Sequence, residues 1–129
     1  MNKSNKKRAL VLFAHGARDP GWAAPFVRLQ QLTQTALPDV LVSLAFLELM
    51  TPKLPELAVE LQQSGCSDVT VVPVFLGKGG HVARDLPVLI AQLEMDYPGI
   101  EWRVAAAAGE DAGVLNAIAQ YCVGVLPNT

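Results

Sequence analysis

Three stretches of the chain bring a residue able to bind a metal or move a proton to an apolar run. His15 stands in "AHGARDP", Glu48 in "LAFLELM" and His81 in "GKGGHVARD". A neutral imidazole can ligate Co, Ni, Fe or Zn and can accept a proton near neutral pH. A carboxylate inside an apolar strand is costly unless something pairs with it. Two histidines and a carboxylate from three separate segments therefore define a candidate site for a divalent first-row metal, provided the fold brings them together. Taken singly, each has a plainer reading. Turn histidines usually hydrogen-bond locally, and Glu48 could cap a helix or pair with Lys53.

The surrounding elements decide whether they meet. Apolar runs at residues 8–14, 40–49, 68–76 and 101–108 read as strands, the middle two apolar on both faces as in a buried parallel sheet. Asp19-Pro20 and Thr51-Pro52 each place a capping side chain before a proline suited to the first helical turn. In the second helix Leu54, Leu57, Ala58 and Leu61 keep one apolar face, and Gly65 supplies the stop. A third helix is expected over residues 86–96, ending at "YPG", and a fourth after Gly109. The alternation predicts an α/β fold: a four-stranded parallel sheet in three layers, with helices on both faces. With strand order 2-1-3-4, His15, Glu48 and His81 converge beyond the carboxyl ends of the strands, where such sheets bind ligands. The last strand, with its "VAAAA" run, leaves a weakly protected edge or face, so self-association is expected.

Composition narrows the function classes. With 129 residues, 51% of them hydrophobic, the chain fits one domain over residues 8–129 behind a flexible lead-in at 1–7. A net charge of −2 gives no field for nucleic acid, and the basic cluster Lys3, Lys6, Lys7 and Arg8 reads as a solvated lead-in. "ALVLFA" is too short for a signal-peptide core or a membrane span, so a cytoplasmic protein is expected. Cys66 and Cys122, far apart and without a CxxC partner, are expected to be reduced and structural. "GKGGH" lacks the spacing of a P-loop, no G-x-G-x-x-G follows the first strand, and no G-x-S-x-G elbow is present. "FAHGARD" has the histidine of a phosphohistidine enzyme but Ala14 where such enzymes usually carry arginine.

"HGARDP" after the first strand, "AFLELMTPKLPE" at the second and "VVPVFLGKGGHVARDLP" at the third, in this order and spacing, resemble the class II chelatases of the sirohydrochlorin cobaltochelatase (CbiX) family over positions 8–115. The resemblance implies ATP-independent insertion of a divalent metal, Co²⁺ or alternatively Ni²⁺ or Fe²⁺, into sirohydrochlorin, with the metal as substrate and no organic cofactor. It implies that His15 and His81 bind the metal and accept protons, with Glu48 as the nearby carboxylate. Arg18, Lys78, Gly79, Gly80 and Arg84, with Lys53, become candidates for holding the substrate's carboxylates. Long members fuse two copies of this unit, and short members are expected to form homodimers. Many long members place a histidine soon after the glycine following the fourth strand. Here Gly109 precedes Glu110 and Asp111, which excludes a third histidine ligand there and suits the positive end of the last helix. A noncatalytic metal or tetrapyrrole carrier on the same fold is the alternative from another class.

Overall fold

A computed structural model describes residues 6–77 and 79–127. The strands β1 (Arg8–Ala14), β2 (Leu41–Phe46), β3 (Asp68–Pro73) and β4 (Glu101–Val104) form one parallel sheet in the order β2-β1-β3-β4. This is the order on which convergence of the three candidate residues depended. The helices are α1 (Ala24–Ala36), α2 (Leu54–Gln63), α3 (Gly80–Asp96) and α4 (Ala112–Gly124), with short 3-10 turns at Pro20–Ala23 and Ala108–Glu110.

Alternation along the strands divides the core. Ala9, Val11 and Phe13 of β1 and Val69 and Val71 of β3 face α2 and α3, which bury Leu54, Leu57, Ala58 and Leu61 from one and Val82, Leu86, Ile90 and Leu93 from the other. The opposite side holds a smaller cluster of Leu12, Val40 and Val42, with Leu10, Leu44 and Val74 only partly buried around it. On this side α1 is fastened to the outer strand. Gln30 Nε2 donates to Val42 O at 2.8 Å. Gln34 Nε2 donates to Val40 O at 2.7 Å, and its Oε1 accepts from Val42 N at 3.0 Å. Two amide side chains thereby meet backbone groups that an edge strand would otherwise leave to another chain. At the far edge, Arg103 of β4 forms a forked pair with Asp68 of β3, at 2.8 and 3.1 Å.

Local expectations fared unevenly. Asp19 does cap, its Oδ1 accepting from Gly21 N at 3.0 Å, but the element it starts is the 3-10 turn ahead of α1. Thr51-Pro52 starts no helix. Lys53 is the N-cap of α2, its backbone N–H donating to Glu56 Oε1 at 2.7 Å, and Pro55 occupies the first turn, where amide donors have no helical partner. Gly65, at φ +83°, lies just past the end of α2 as expected. β2 ends at Phe46 and β4 at Val104, short of the apolar runs that suggested them, because the regular ladders with β1 and β3 end there and only single backbone contacts follow. α3 begins at Gly80, well before residue 86, and takes Pro87 into its interior. Cys66 is buried in the core, and that burial pushes its thiol pKa up while nearby Lys7 acts in the opposite direction. Cys122 is exposed on α4, so it has no structural role in this core. Among the described residues no helix is long and apolar enough to cross a membrane.

Replacing Gln34 by alanine removes its two hydrogen bonds at the β2 edge, to Val40 O and from Val42 N, and the one it donates to Leu37 O at the end of α1. The expected cost is about 1–3 kcal/mol, from backbone groups left unpaired. An unchanged urea midpoint would show that water replaces the side chain.

Candidate functional site

The connection after β1 leads to α1 on one side of the sheet, whereas those after β2 and β3 lead to α2 and α3 on the other. The carboxyl edge of β1 is thus a switch point, where a crevice opens between diverging connections. His15 is the first residue beyond β1 and is exposed. Its ring lies on Phe75, with centroids 4.4 Å apart and planes at 37°, and Phe75 in turn meets Phe13 edge-on at 6.1 Å. Phe75 is buried and follows β3, so the imidazole rests on a platform rooted in the core. The sequence pattern gave Phe75 no role beyond a strand position. Its stacking on His15 depends on how two loops meet.

Glu48 lies beside His15 through the backbone. Pairing of the two chains continues beyond the strands, with Leu47 N donating to Ala14 O at 2.9 Å and Glu48 N to His15 O at 3.1 Å. Gly16 makes this possible. It adopts φ +93°, and a Cβ there would overlap the Glu48 carbonyl oxygen. The expectation that Glu48 is embedded in the second strand is corrected here: it follows β2 in a bend and is exposed. Its charge therefore needs no buried partner, since water solvates it.

His81 is the second residue of α3, directly after the glycine turn that follows β3. Lys78 and the side chain of His81 lie outside the described residues. Gly79 is the N-cap of α3 in extended conformation, without a side-chain cap, and Gly80 opens the helix. Both glycines have open space where a Cβ would stand. The uncapped turn presents backbone amides of the kind that accept an anion. On its other flank the loop is fixed to the turn after β4: Gly109 N donates to Phe75 O at 2.8 Å, and a Cβ on Gly109 would overlap Leu76. Gly109 is therefore a packing requirement rather than a hinge. Asp111 caps α4, its Oδ2 accepting from Val114 N at 3.2 Å, as its position in the sequence suggested.

The basic candidates divide between two sides. Arg18 borders an open cleft of about 540 Å³ with an apolar wall that includes Val27, Phe46, Leu49 and Met50. Leu49 holds φ +68°, a left-handed conformation that is uncommon for a leucine, and this places residues 49–52 along the cleft. Lys53 and Arg84 share a different, shallow groove between α2 and α3, together with Leu47 and Asp85. Arg84 Nε is 3.6 Å from Asp85 Oδ1, with both groups well exposed. Among the described residues no three His, Cys, Asp or Glu side chains gather as a ready-made metal cage. His15 and Glu48 are adjacent at the edge through their backbones, and the remaining donor of the expected set, His81, stands in the first turn of α3.

The chain matches the CbiX family model over residues 9–122. It is 33% identical over 89 residues to a sirohydrochlorin cobaltochelatase from Methanocaldococcus jannaschii, a match covering 69% of this chain and 62% of that protein. The aligned stretch thus spans less than two thirds of that relative's length. A structure from Marinobacter aquaeolei VT8, described as a CbiX protein of cobalamin (vitamin B12) biosynthesis, superposes with a TM-score of 0.81 at 29% identity, covering 91% of this chain and 95% of the other. The sirohydrochlorin chelatase SirB from Bacillus subtilis subspecies spizizenii, solved in complex with cobalt, gives 0.80 at 23% identity. That match covers 92% of this chain but 51% of SirB, and it speaks for the fold alone.

Substituting Phe75 by leucine should leave the core folded while removing the surface on which His15 rests. The expected outcome is a shift of the His15 ring resonances toward those of a free imidazole, read by proton–carbon NMR. Unmoved resonances would show that the stacking does not orient the ring. Gly16→Ala should lower the unfolding midpoint and disturb the same resonances, because the β1 and β2 loops must part.

Proposed function

The chain belongs to the CbiX family, and from that premise we propose that it inserts a divalent metal ion, foremost Co²⁺, into sirohydrochlorin without ATP. The observation that carries this reading is the position of His15, an exposed imidazole on an aromatic platform at the switch point of the sheet, next to Glu48. The curated relative from Methanocaldococcus jannaschii is a sirohydrochlorin cobaltochelatase, and the motifs around all three candidate residues fall inside the matched region.

The chemistry sets three requirements. A free-base tetrapyrrole gives up two pyrrole protons as the metal enters, so the products are the metallated ring and two protons. The metal must arrive on ligands it can leave, which neutral imidazoles of His15 and His81 provide. The protons must be taken up on the face where the metal enters, and an imidazole or the Glu48 carboxylate can accept them and pass them to solvent. The ring must also bend so that its nitrogens face the metal, and binding of its peripheral carboxylates can offset that strain.

Arg18 suits one group of these carboxylates, and the apolar wall of its cleft suits the face of the macrocycle. Lys53 and Arg84 suit carboxylates on the other side of the β2 loop, while Lys78 and the amides at Gly79 and Gly80 offer a further anchor. Ni²⁺ and Fe²⁺ are the alternative substrates, since affinity at imidazole and carboxylate sites follows a general series and supply decides among neighbours. The open edge leaves a macrocycle exposed on one side, so the working form is proposed to be a pair of copies in the cytoplasm.

The test follows the absorbance of anaerobic sirohydrochlorin with catalytic amounts of protein and Co²⁺, Ni²⁺ or Fe²⁺ in turn. Multiple turnovers are expected, with His15→Ala and His81→Ala each slower by about 10²–10⁴-fold if the lost group moves protons or holds metal. Glu48→Gln should also lose rate. A spectral change that stops at one equivalent would replace the enzyme with a carrier.

A further inference from the structure

Leu49 is placed where neither the fold nor its own conformational preference accounts for it. Among the described residues it is the one non-glycine at positive φ, +68°, a left-handed conformation that crowds a leucine side chain against the backbone. Glycine or asparagine takes that conformation more readily. A lone exposed leucine is ordinary, but this one combines the strained backbone with 54% exposure and belongs to neither core cluster. Its side chain adds little to the stability of the fold, and strain of this kind gathers where a chain meets a ligand.

The loop gives Leu49 no room to yield. Glu48, directly before it, donates its N–H to His15 O at 3.1 Å and packs against Gly16. Phe46 N donates to Pro52 O at 2.9 Å, which closes the base of the loop, and Phe46 pairs with Lys53 in an isolated bridge. On this frame Leu49 stands in the wall of the cleft that Ala17 and Arg18 border, just past His15 in the chain. The wall is flush at Phe46, which is 4% exposed, so Leu49 projects from it.

We propose that Leu49 is the wedge that bends the macrocycle. This rests on the proposed metal insertion and assigns the bending it requires to one side chain. With rim carboxylates held by Arg18, a ring laid along the wall meets Leu49 first. The loop is braced by backbone bonds on both sides, so the ring gives way rather than the leucine. One pyrrole is pushed out of the plane, and the nitrogens turn toward the metal at the His15 edge. A bent ring makes this contact without overlap and a flat one does not, so the contact favours the transition state over the bound substrate. Leu44 and Phe46, from the strand beside the loop, offer a surface that holds flat and bent rings alike. The wedge forms and breaks no bond, and the two pyrrole protons leave by the route already described.

The experiment measures anaerobic Co²⁺ insertion into sirohydrochlorin by the wild type, Leu49→Ala and Leu49→Met. The urea midpoint of each is taken, with the resonance Raman spectrum of metal-free sirohydrochlorin bound to each. Leu49→Ala is expected to lower kcat by about 10- to 200-fold, the range that a small apolar contact controls. Its KM for sirohydrochlorin should be unchanged or lower, which marks lost strain rather than lost binding. Its urea midpoint should stay close to that of the wild type, and the out-of-plane ring bands seen with the wild type should weaken. Leu49→Met keeps the bulk and should retain both rate and bands. A raised KM at unchanged kcat would make Leu49 a plain wall contact and overturn the wedge. Bands that do not change in Leu49→Ala would overturn it as well, and so would a fall in kcat that tracks a fall in the urea midpoint. Wild-type turnover matched by Leu49→Ala removes the wedge alone. No turnover by the wild type removes the proposed function and the wedge with it.

Discussion

The approach of Gly16 to the carbonyl of Glu48 governs the working edge of this protein. Because that position has no Cβ and takes a positive φ, the loops after β1 and β2 can run on as paired chains past the end of the sheet. His15 is thereby held at a fixed height above the strand ends, and Phe75 from the third loop can slide beneath its ring. A side chain at Gly16 would part the two loops and remove the histidine from its platform.

The same economy recurs at Gly109, where the turn after β4 touches the backbone of the loop after β3. Four strand ends are thus tied in sequence: β2 to β1 through Gly16, β1 to β3 through the aromatic stack, and β3 to β4 through Gly109. These ties are backbone or ring contacts rather than charge pairs, so they leave the polar groups of the edge free to meet a substrate. The basic residues stand apart from them, Arg18 on one side of the β2 loop and Lys53 with Arg84 on the other.

The two sides of the sheet have different energetic standing. The side covered by α2 and α3 holds most of the buried side chains, among them Phe13, Leu54, Leu61 and Val82. The other has a short cluster, a helix tied on by two glutamines and a wide half-covered face. Most of the apolar burial, and with it most of the stability, therefore lies on the first side.

The sequence alone determined what depends on local pattern. The strand-and-helix alternation follows from hydrophobic periods. The buried face of α2 follows from Leu54, Leu57, Ala58 and Leu61, and the caps at Asp19 and Asp111 follow from short-range donor geometry. The motifs around His15, Glu48 and His81 were legible for the same reason, since each sits at a fixed offset from its strand. Where the elements end was less legible. Apolar runs continue past the ladders that define β2 and β4, α3 starts at Gly80 rather than at residue 86, and Glu48, which read as embedded in a strand, is solvated. Only the tertiary structure decided that Phe75 carries the ring of His15, that Gly16 and Gly109 are fixed by close backbone approach, and that α4 is left uncovered. Each of these depends on segments far apart in the chain meeting in space, and hydrophobic period carries no information about which distant segment will be the neighbour.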